Sequence, residues 1–435
     1  MNSVFYGIVV IAFVFTGYRQ LTWNPDSAAS VAPMQALATG MIESAKSSVT
    51  LAIGLIGVMA LFLGLMKIAE AGGLLQIIAR LVRPLMVRLF PDVPAEHPAM
   101  GAMIMNMSAN ALGLGNAATP FGIRAMQALD TLNPNKGTAT NAMALFLAIN
   151  TSSVTLLPTG VIALRASVGS IDPAGIVPTT LFATFCSTTV AIIAAKSYQR
   201  LSRIVPINDD PVTDTADAIA IDSTTDAQEL TPSSEDAYSE WVSYLALFGI
   251  TALIPLAVIY GAAVGPWIVP GMMLLLLSFG LVRGVSVYES FVEGARDGFQ
   301  VAVRIIPYLV AILVAVGMLR ESGALQVFTG ALGALTGAAG LPGEALPMAL
   351  LRPLSGSGAY GILAATIQDP AIGPDSYVGY LVSTLQGSTE TTFYVIAVYF
   401  GAVQVRRVRH ALAAGLTADL AGIIGAVAAC WYLYA

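Results

Sequence analysis

At 435 residues, 56% of them hydrophobic and only 11% charged, the chain carries less than half the charge of an ordinary soluble domain, in which about a quarter of residues are charged. That composition excludes a soluble enzyme, leaves no basis for a nucleic-acid partner, and describes an all-α protein that crosses a lipid bilayer many times. The net charge of −6 is local, because Asp209, Asp210, Asp214, Asp217, Asp222, Asp226, Glu229, Glu235, Asp236 and Glu240 fall in one stretch without a Lys or Arg, and the rest of the chain is net basic.

Residues 4–18 read as a short first helix without the basic leader of a secretory signal. Residues 33–48 place Met34, Leu37, Met41, Ile42 and Ala45 at helical spacing, with Gln35, Glu43 and Lys46 elsewhere. They predict an amphipathic interfacial helix ahead of a span at 49–69. After Gly72-Gly73, residues 74–90 mix aliphatics with Gln76, Arg80, Arg83 and Arg88, which suits an anionic cytoplasmic surface.

Residues 100–126 are apolar at both ends but interrupted by Asn106, Ser108, Asn110, Gly113, Gly115, Asn116, Thr119 and Pro120. Such groups persist at membrane depth only against protein or water, so a re-entrant helical hairpin is expected there. A turn at 130–137 leads to a span at 141–164, broken at Asn150-Thr151-Ser152-Ser153-Val154-Thr155 and Pro158. Residues 176–195 form the next span.

The acidic stretch, 206–239, has too little apolar surface to pack and reads as a cytoplasmic linker between units at 1–205 and 240–435. Beyond it, 241–262 and 264–282 predict a helical pair joined through Gly265-Pro266. Residues 286–300 are amphipathic, 301–319 span, and 323–335 form a small-residue interfacial segment. A second hairpin is expected over 345–367, interrupted by Arg352-Pro353-Leu354-Ser355-Gly356-Ser357-Gly358. The span at 377–401 is broken at Gln386-Gly387-Ser388-Thr389-Glu390-Thr391-Thr392, and 411–433 closes the chain.

Both halves follow one order: interfacial helix, span, interfacial helix, hairpin, broken span, final span. Glu43-Ser44-Ala45-Lys46 faces Glu293-Gly294-Ala295-Arg296, and Ala69-Glu70-Ala71-Gly72-Gly73-Leu74-Leu75-Gln76 faces Arg320-Glu321-Ser322-Gly323-Ala324-Leu325-Gln326 with one residue skipped. An odd number of spans between the matched positions turns the second half upside down. Inverted repeats with broken helices at mid-membrane are the architecture of secondary transporters. Nine spans with the N-terminus and linker inside also place most Lys and Arg residues on the cytoplasmic side and the C-terminus outside.

The polar runs are the expected solute site. Broken helices free backbone N–H and C=O groups, and half-helix N-termini favour an anion. Arg352 adds a positive charge and reads either as an anion partner or as one half of a buried pair with Glu390. Glu390 is the carboxylate within a broken span, where an acid must be paired, protonated or bound to a cation. Glu390, Thr155 and Thr391 are therefore expected to hold a coupling proton or sodium ion. Asn106, Ser108, Asn110, Asn116, Asn150, Thr151, Ser152 and Ser153 supply donors and acceptors from the first half, and Ser355, Ser357, Gln386, Ser388 and Thr389 from the second. Singly, each could bond only to a neighbouring helix.

Gly54, Gly57 and Gly64 read as helix-packing residues, and Glu43 and Glu293 as interfacial charges. Cys186 and Cys430 read as reduced packing residues, and His97 and His410 lack metal-binding company. No catalytic pair, phosphate loop or zinc spacing is present, so neither an enzyme nor a resident cofactor is expected.

The run Gly113-Leu114-Gly115-Asn116-Ala117-Ala118-Thr119-Pro120-Phe121-Gly122-Ile123-Arg124-Ala125-Met126-Gln127 resembles spore maturation protein A. The runs Ser355-Gly356-Ser357-Gly358-Ala359-Tyr360 and Gln386 to Tyr394 resemble spore maturation protein B. Both belong to the nucleoside-recognition, or Gate, family, which is similar to parts of concentrative nucleoside transporters and the ferrous iron transporter. The resemblance implies a fusion covering nearly everything but the linker, and it leaves the solute open. The expected function is transport of a small polar, anionic solute by a homo-oligomer in the bacterial inner membrane. The rival is a non-transporting scaffold that recruits envelope or peptidoglycan enzymes.

Overall fold

The computed structural model describes all residues except 1, 25–30, 114, 153–154, 203–237, 240, 247, 250–251 and 253–259. Nearly all of the acidic linker, much of 241–262, and Ser153 therefore lie outside the described residues. Among those described, every regular element is helical, with one isolated bridge between Thr138 and Arg407. The first half contains α1 (Asn2–Leu21), α2 (Pro33–Ala71), α3 (Leu74–Leu89), α4 (Pro98–Ala111), α5 (Gly115–Thr131), α6 (Asn141–Ser152), α7 (Thr159–Ser167) and α8 (Ile176–Tyr198). The second contains α9 (Gly261–Val282), α10 (Val287–Ser322), α11 (Ala324–Thr336), α12 (Leu346–Leu351), α13 (Gly356–Gln368), α14 (Tyr377–Ser388), α15 (Thr392–Gly401) and α16 (Ala411–Tyr434).

Each helix of the first half thus has its counterpart eight places later. The α2–α3 and α10–α11 corners even turn on matching glycines, Gly73 and Gly323, both in the left-handed region at φ 82° and 84°, which costs glycine little.

Three expected divisions are corrected. Residues 33–48 and 49–69 form one continuous helix, α2, of 39 residues. Ser48 and Thr50 return their hydroxyls to the carbonyls of Ser44 and Lys46, so the change of pattern marks a change of exposure and not a break. Residues 286–300 and 301–319 likewise merge into α10, which bends by 41° after Pro307, where the missing N–H interrupts the ladder. Gly265-Pro266 lies inside α9, which begins at Gly261.

Helices α2, α8 and α16 are long and apolar enough to cross a membrane, as is α10 if its bent halves count as one span. The protein is a multi-pass membrane protein. The two longest helices run antiparallel: Gly64 lies on Phe291, Gly298 on Ala60 and Gly317 on Ser44. A Cβ at Gly298 would come within 2.7 Å of the Ala60 backbone. Gly64 is a packing residue as expected, whereas Gly57 meets nothing within 4 Å.

Two cores hold the halves together, and each draws on both. One packs α3, α4 and α5 against α6, α8, α15 and α16. The other packs α12, α13 and α14 against α2, α7, α8, α10 and α16. The basic set on α3 is partly drawn inward: Arg83 is buried and pairs with Glu96 at 3.1 Å, and Arg88 lies over the Tyr244 ring at 4.7 Å. Packing with the 91–97 loop, unseen in the helix pattern alone, decides this.

Candidate functional site at the crossing of two broken helices

The expected broken spans are broken. Residues 141–167 form α6 and α7, and residues 377–401 form α14 and α15, each half too short to cross about 30 Å of hydrocarbon alone. Both hairpins form too, α4–α5 and α12–α13. The broken spans lie antiparallel, and their ends are clamped reciprocally. Arg165, at the end of α7, donates to Pro374 O at 2.6 Å and to Asp375 Oδ1 at 3.0 Å just ahead of α14. After α15, Arg409 donates to Ala139 O at 2.9 Å, and Arg407 O accepts from Ala139 N at 3.0 Å, just ahead of α6.

At mid-length the breaks touch: Glu390 N–H donates to Thr151 O at 2.8 Å. Each hairpin tip docks on the break of its own half. Leu156 N–H donates to Ala111 O at 3.0 Å, and Phe393 N–H to Pro353 O at 3.1 Å. Three of the backbone N–H groups freed by the breaks are thereby satisfied by protein carbonyls.

The side chains fall into two clusters. In the first, Asn110 Nδ2 donates to Asn150 Oδ1 at 3.0 Å, while Asn106 Nδ2 donates to Ala118 O at 2.7 Å and reaches Tyr399 Oη at 3.2 Å. Ser108, Thr151 and Ser152 return their hydroxyls to Ile104 O, Ala148 O and Ile149 O of their own helices. These three hydroxyls therefore reach neither the opposite break nor a neighbouring helix in this state. The Asn116 side chain and Ser153 are not among the described parts, and Thr155 is half-buried.

In the second cluster, the buried Arg352 donates to Thr389 O and to Thr391 Oγ1 at 3.1 Å, and lies 3.8 Å from Glu390 Oε2. Arg352 and Glu390 thus pair in the described state, but with the Glu390 carboxylate half-exposed and not buried. Ser355 accepts from Gly358 N–H at 3.0 Å as the N-cap of α13, and Ser357 is exposed. Ser388 sits 3.5 Å from Leu385 O, and Gln386 Oε1 has no partner among the described residues.

Sequence reasoning missed three participants. Tyr399 bridges from α15 to Asn106 and Asn150. Arg165, wholly buried, lies 4.2 Å from the centre of the Tyr380 ring, which stacks on Tyr434. Asp419, in the middle of α16, is buried and accepts from Thr392 Oγ1 at 2.6 Å. The rule that singled out Glu390, an acid at membrane depth, applies equally to Asp419.

Glu43 pairs with Lys46 at 3.2 Å and Glu293 with Lys67 at 3.3 Å. Glu43 also lines a groove of about 1340 Å³ between α2, α10 and α11, away from the breaks. Beside Arg352 lies a cavity of about 10 Å³.

Oppositely directed repeats, re-entrant hairpins and crossed broken spans define the class: a membrane protein of inverted-repeat architecture. The chain belongs to the Gate, or nucleoside recognition, family, which it matches over residues 52–167 and 302–406. It is 48% identical over 160 residues to spore maturation protein A of Bacillus subtilis (strain 168), covering 37% of this chain and 82% of that one. It is 45% identical over 162 residues to spore maturation protein B of the same organism, covering 37% and 88%. Among solved structures, a CNTnw variant in an outward-facing state aligns with 100% of this chain and 99% of its own at 13% identity and a TM-score of 0.46. CNTnw in an inward-facing substrate-bound state aligns with 98% of each chain at 13% identity and 0.39.

Proposed function

We propose that this protein is a membrane carrier for a small polar, anionic solute, moved through the junction of the two breaks. The observation that carries the reading is the Glu390 N–H to Thr151 O contact, which brings two oppositely directed broken spans together at one depth. Inverted breaks of this kind are where carriers bind their solutes. Anion preference rests on Arg352 and on the half-helix N-termini at Gly356 and Thr392. Glu390, half-exposed at the break, is the proposed site of coupling to a proton or sodium ion, with Thr155 and Thr391 beside it in the breaks.

In the described state the junction is closed on its own hydrogen bonds, so a carrier must part α14–α15 from α6–α7 to load. The proposed setting is a homo-oligomer in the bacterial inner membrane, with the N-terminus and linker cytoplasmic and the C-terminus outside.

Proteoliposome uptake and ligand-induced thermal shifts across a broad metabolite panel test this, with Arg352→Ala and Glu390→Gln as the informative variants. The reading predicts that at least one solute is moved by the native protein and lost in Arg352→Ala. If neither change alters any flux or shift, the carrier reading falls and a scaffold for envelope or peptidoglycan enzymes takes its place.

A further inference from the structure

Arg352 has two carboxylates to serve and can balance one. Glu390 lies 3.8 Å from its guanidinium. Asp419, from α16, lines the same 10 Å³ cavity as Arg352, together with Ser388 and Thr389. Asp419 is 4% exposed. Its Oδ2 takes the Thr392 hydroxyl, while its Oδ1 has no partner among the described residues, and neither has Arg352 Nε.

Among the described residues no second counter-charge is at hand. Helices α6, α14 and α15, all packed on α16, bring no Asp, Glu, Lys, Arg or His, and α8 brings only Lys196 in its last turn. Cys186 lies farther along, against Gly425, and the Tyr399 hydroxyl turns to Asn106 and Asn150. A buried carboxylate without a cation or a full set of donors takes up a proton in preference to staying charged.

We propose that Asp419 is an intramembrane proton-binding site, kept neutral because Glu390 holds Arg352. The inference deepens the carrier reading by moving the coupling proton from Glu390 itself to Asp419, with Glu390 acting through its pair with Arg352. The cavity is the size of one water molecule, which would accept from the Asp419 carboxyl and from Arg352 Nε–H. When Glu390 is drawn away from Arg352, the guanidinium is free to pair with Asp419. The carboxyl then gives its proton to that water and becomes the carboxylate partner. That water passes the proton to bulk solvent on one side, and when the reverse motion returns Arg352 to Glu390 the Asp419 carboxylate takes a proton up from the other side, so one proton crosses the site per cycle.

Infrared spectra of the full-length protein in lipid nanodiscs, titrated from mildly acidic to alkaline pH without any solute, test this directly. The native protein should show the carbonyl band of a protonated carboxyl near neutral pH, and Asp419→Asn should lose it. Glu390→Gln should keep the band only at lower pH, because Arg352 is then released to Asp419. Thr392→Val, which preserves every charge, should shift the band's position by removing its hydrogen bond, and it serves if Asp419→Asn fails to fold. A native protein without the band, a band surviving Asp419→Asn, or one unmoved by Thr392→Val overturns the proton site. A band indifferent to Glu390→Gln overturns the shared counter-charge. The readout needs no solute, so a protein that transports nothing would still show the band. Loss of the band alone would leave the carrier reading standing.

Discussion

The two breaks are built on one plan and filled with opposite chemistry. Aligned from the starts of α6 and α14, Asn150 stands opposite Gln386, Thr155 opposite Thr391, and Val154 opposite Glu390. One helix further on, the ninth residue of α8 is Thr184, which donates to Ser152 O at 3.0 Å, and the ninth of α16 is Asp419. The first break is a neutral amide and hydroxyl cluster with Leu157 packed toward α2 and α9. The second carries Arg352, Glu390 and Asp419, and leaves Phe393 and Tyr394 exposed on α15. Duplication fixed the frame, and divergence put all of the charge on one side of it. A neutral break can serve as a passive dock, whereas a charged one stores energy that a proton or an anion can release.

The reciprocal clamps offer the strongest test of that asymmetry. Arg165 is wholly buried with five hydrogen-bond acceptors and an aromatic face. Arg165→Ala should cost roughly 3–5 kcal/mol by stranding Asp375 and the Pro374 carbonyl. Arg409, half-buried with its bonds to Ala139 and Ser202, should cost only roughly 1–2 kcal/mol on Arg409→Ala. Unfolding midpoints in a mild denaturant compare them, and equal losses would break the picture of one rigid and one yielding end.

Between the breaks themselves, Arg352→Ala should lower stability by roughly 2–4 kcal/mol and Asn110→Ala by roughly 1–2 kcal/mol, since the first strands the Glu390 carboxylate and the Thr389 carbonyl and the second only an amide partner. Thermal shift in detergent reads both, and reversal of their order would place the energetic weight on the neutral side. Tyr399→Phe keeps the ring on Phe146 but removes the hydroxyl joining α15 to Asn106 and Asn150. It should cost about 1 kcal/mol, seen as faster hydrogen exchange in α5.

A pH-dependent effect is expected at the edge of the second repeat. Burial, with Arg409 adjacent, pushes the His410 ring down to about 4 from the usual 6.5. A base whose folded-state value is depressed contributes stability that is complete above about pH 6.5 and fades as pH falls toward 4. With Arg406 and Arg407 beside it exposed to solvent, which screens part of the charge, the loss should be roughly 1–2 kcal/mol. His410→Asn should flatten that slope in melting curves taken across this pH range.

Much of this was legible in the sequence, because hydrocarbon punishes irregular backbone and unpaired polar groups so heavily that their positions show as interruptions in apolar runs. The two hairpins and both breaks follow from that rule, while the matching glycine corners and the inverted order follow from the segments shared by the two halves and the odd number of spans between them. From the same rule comes the suspicion that Glu390 and Arg352 belong together, since neither charge could stand by itself at that depth.

What the sequence could not decide is which polar groups face one another across the fold. Helix hydroxyls such as Ser108, Thr151 and Ser152 are satisfied by their own carbonyls one turn back, and a linear pattern cannot separate them from Asn106 and Asn110, which reach across to other helices. The continuity of α2 through Ser48 depended on its antiparallel seam with α10. Only packing brought Asp419 to Arg352, Tyr399 to Asn150 and Arg165 to Asp375, in the last two cases over more than 200 residues of chain. Periodicity and polarity are local quantities, fixed residue by residue. The meeting of a guanidinium with one carboxylate and not with its neighbour is a property of distance, and distance exists only once the chain has folded.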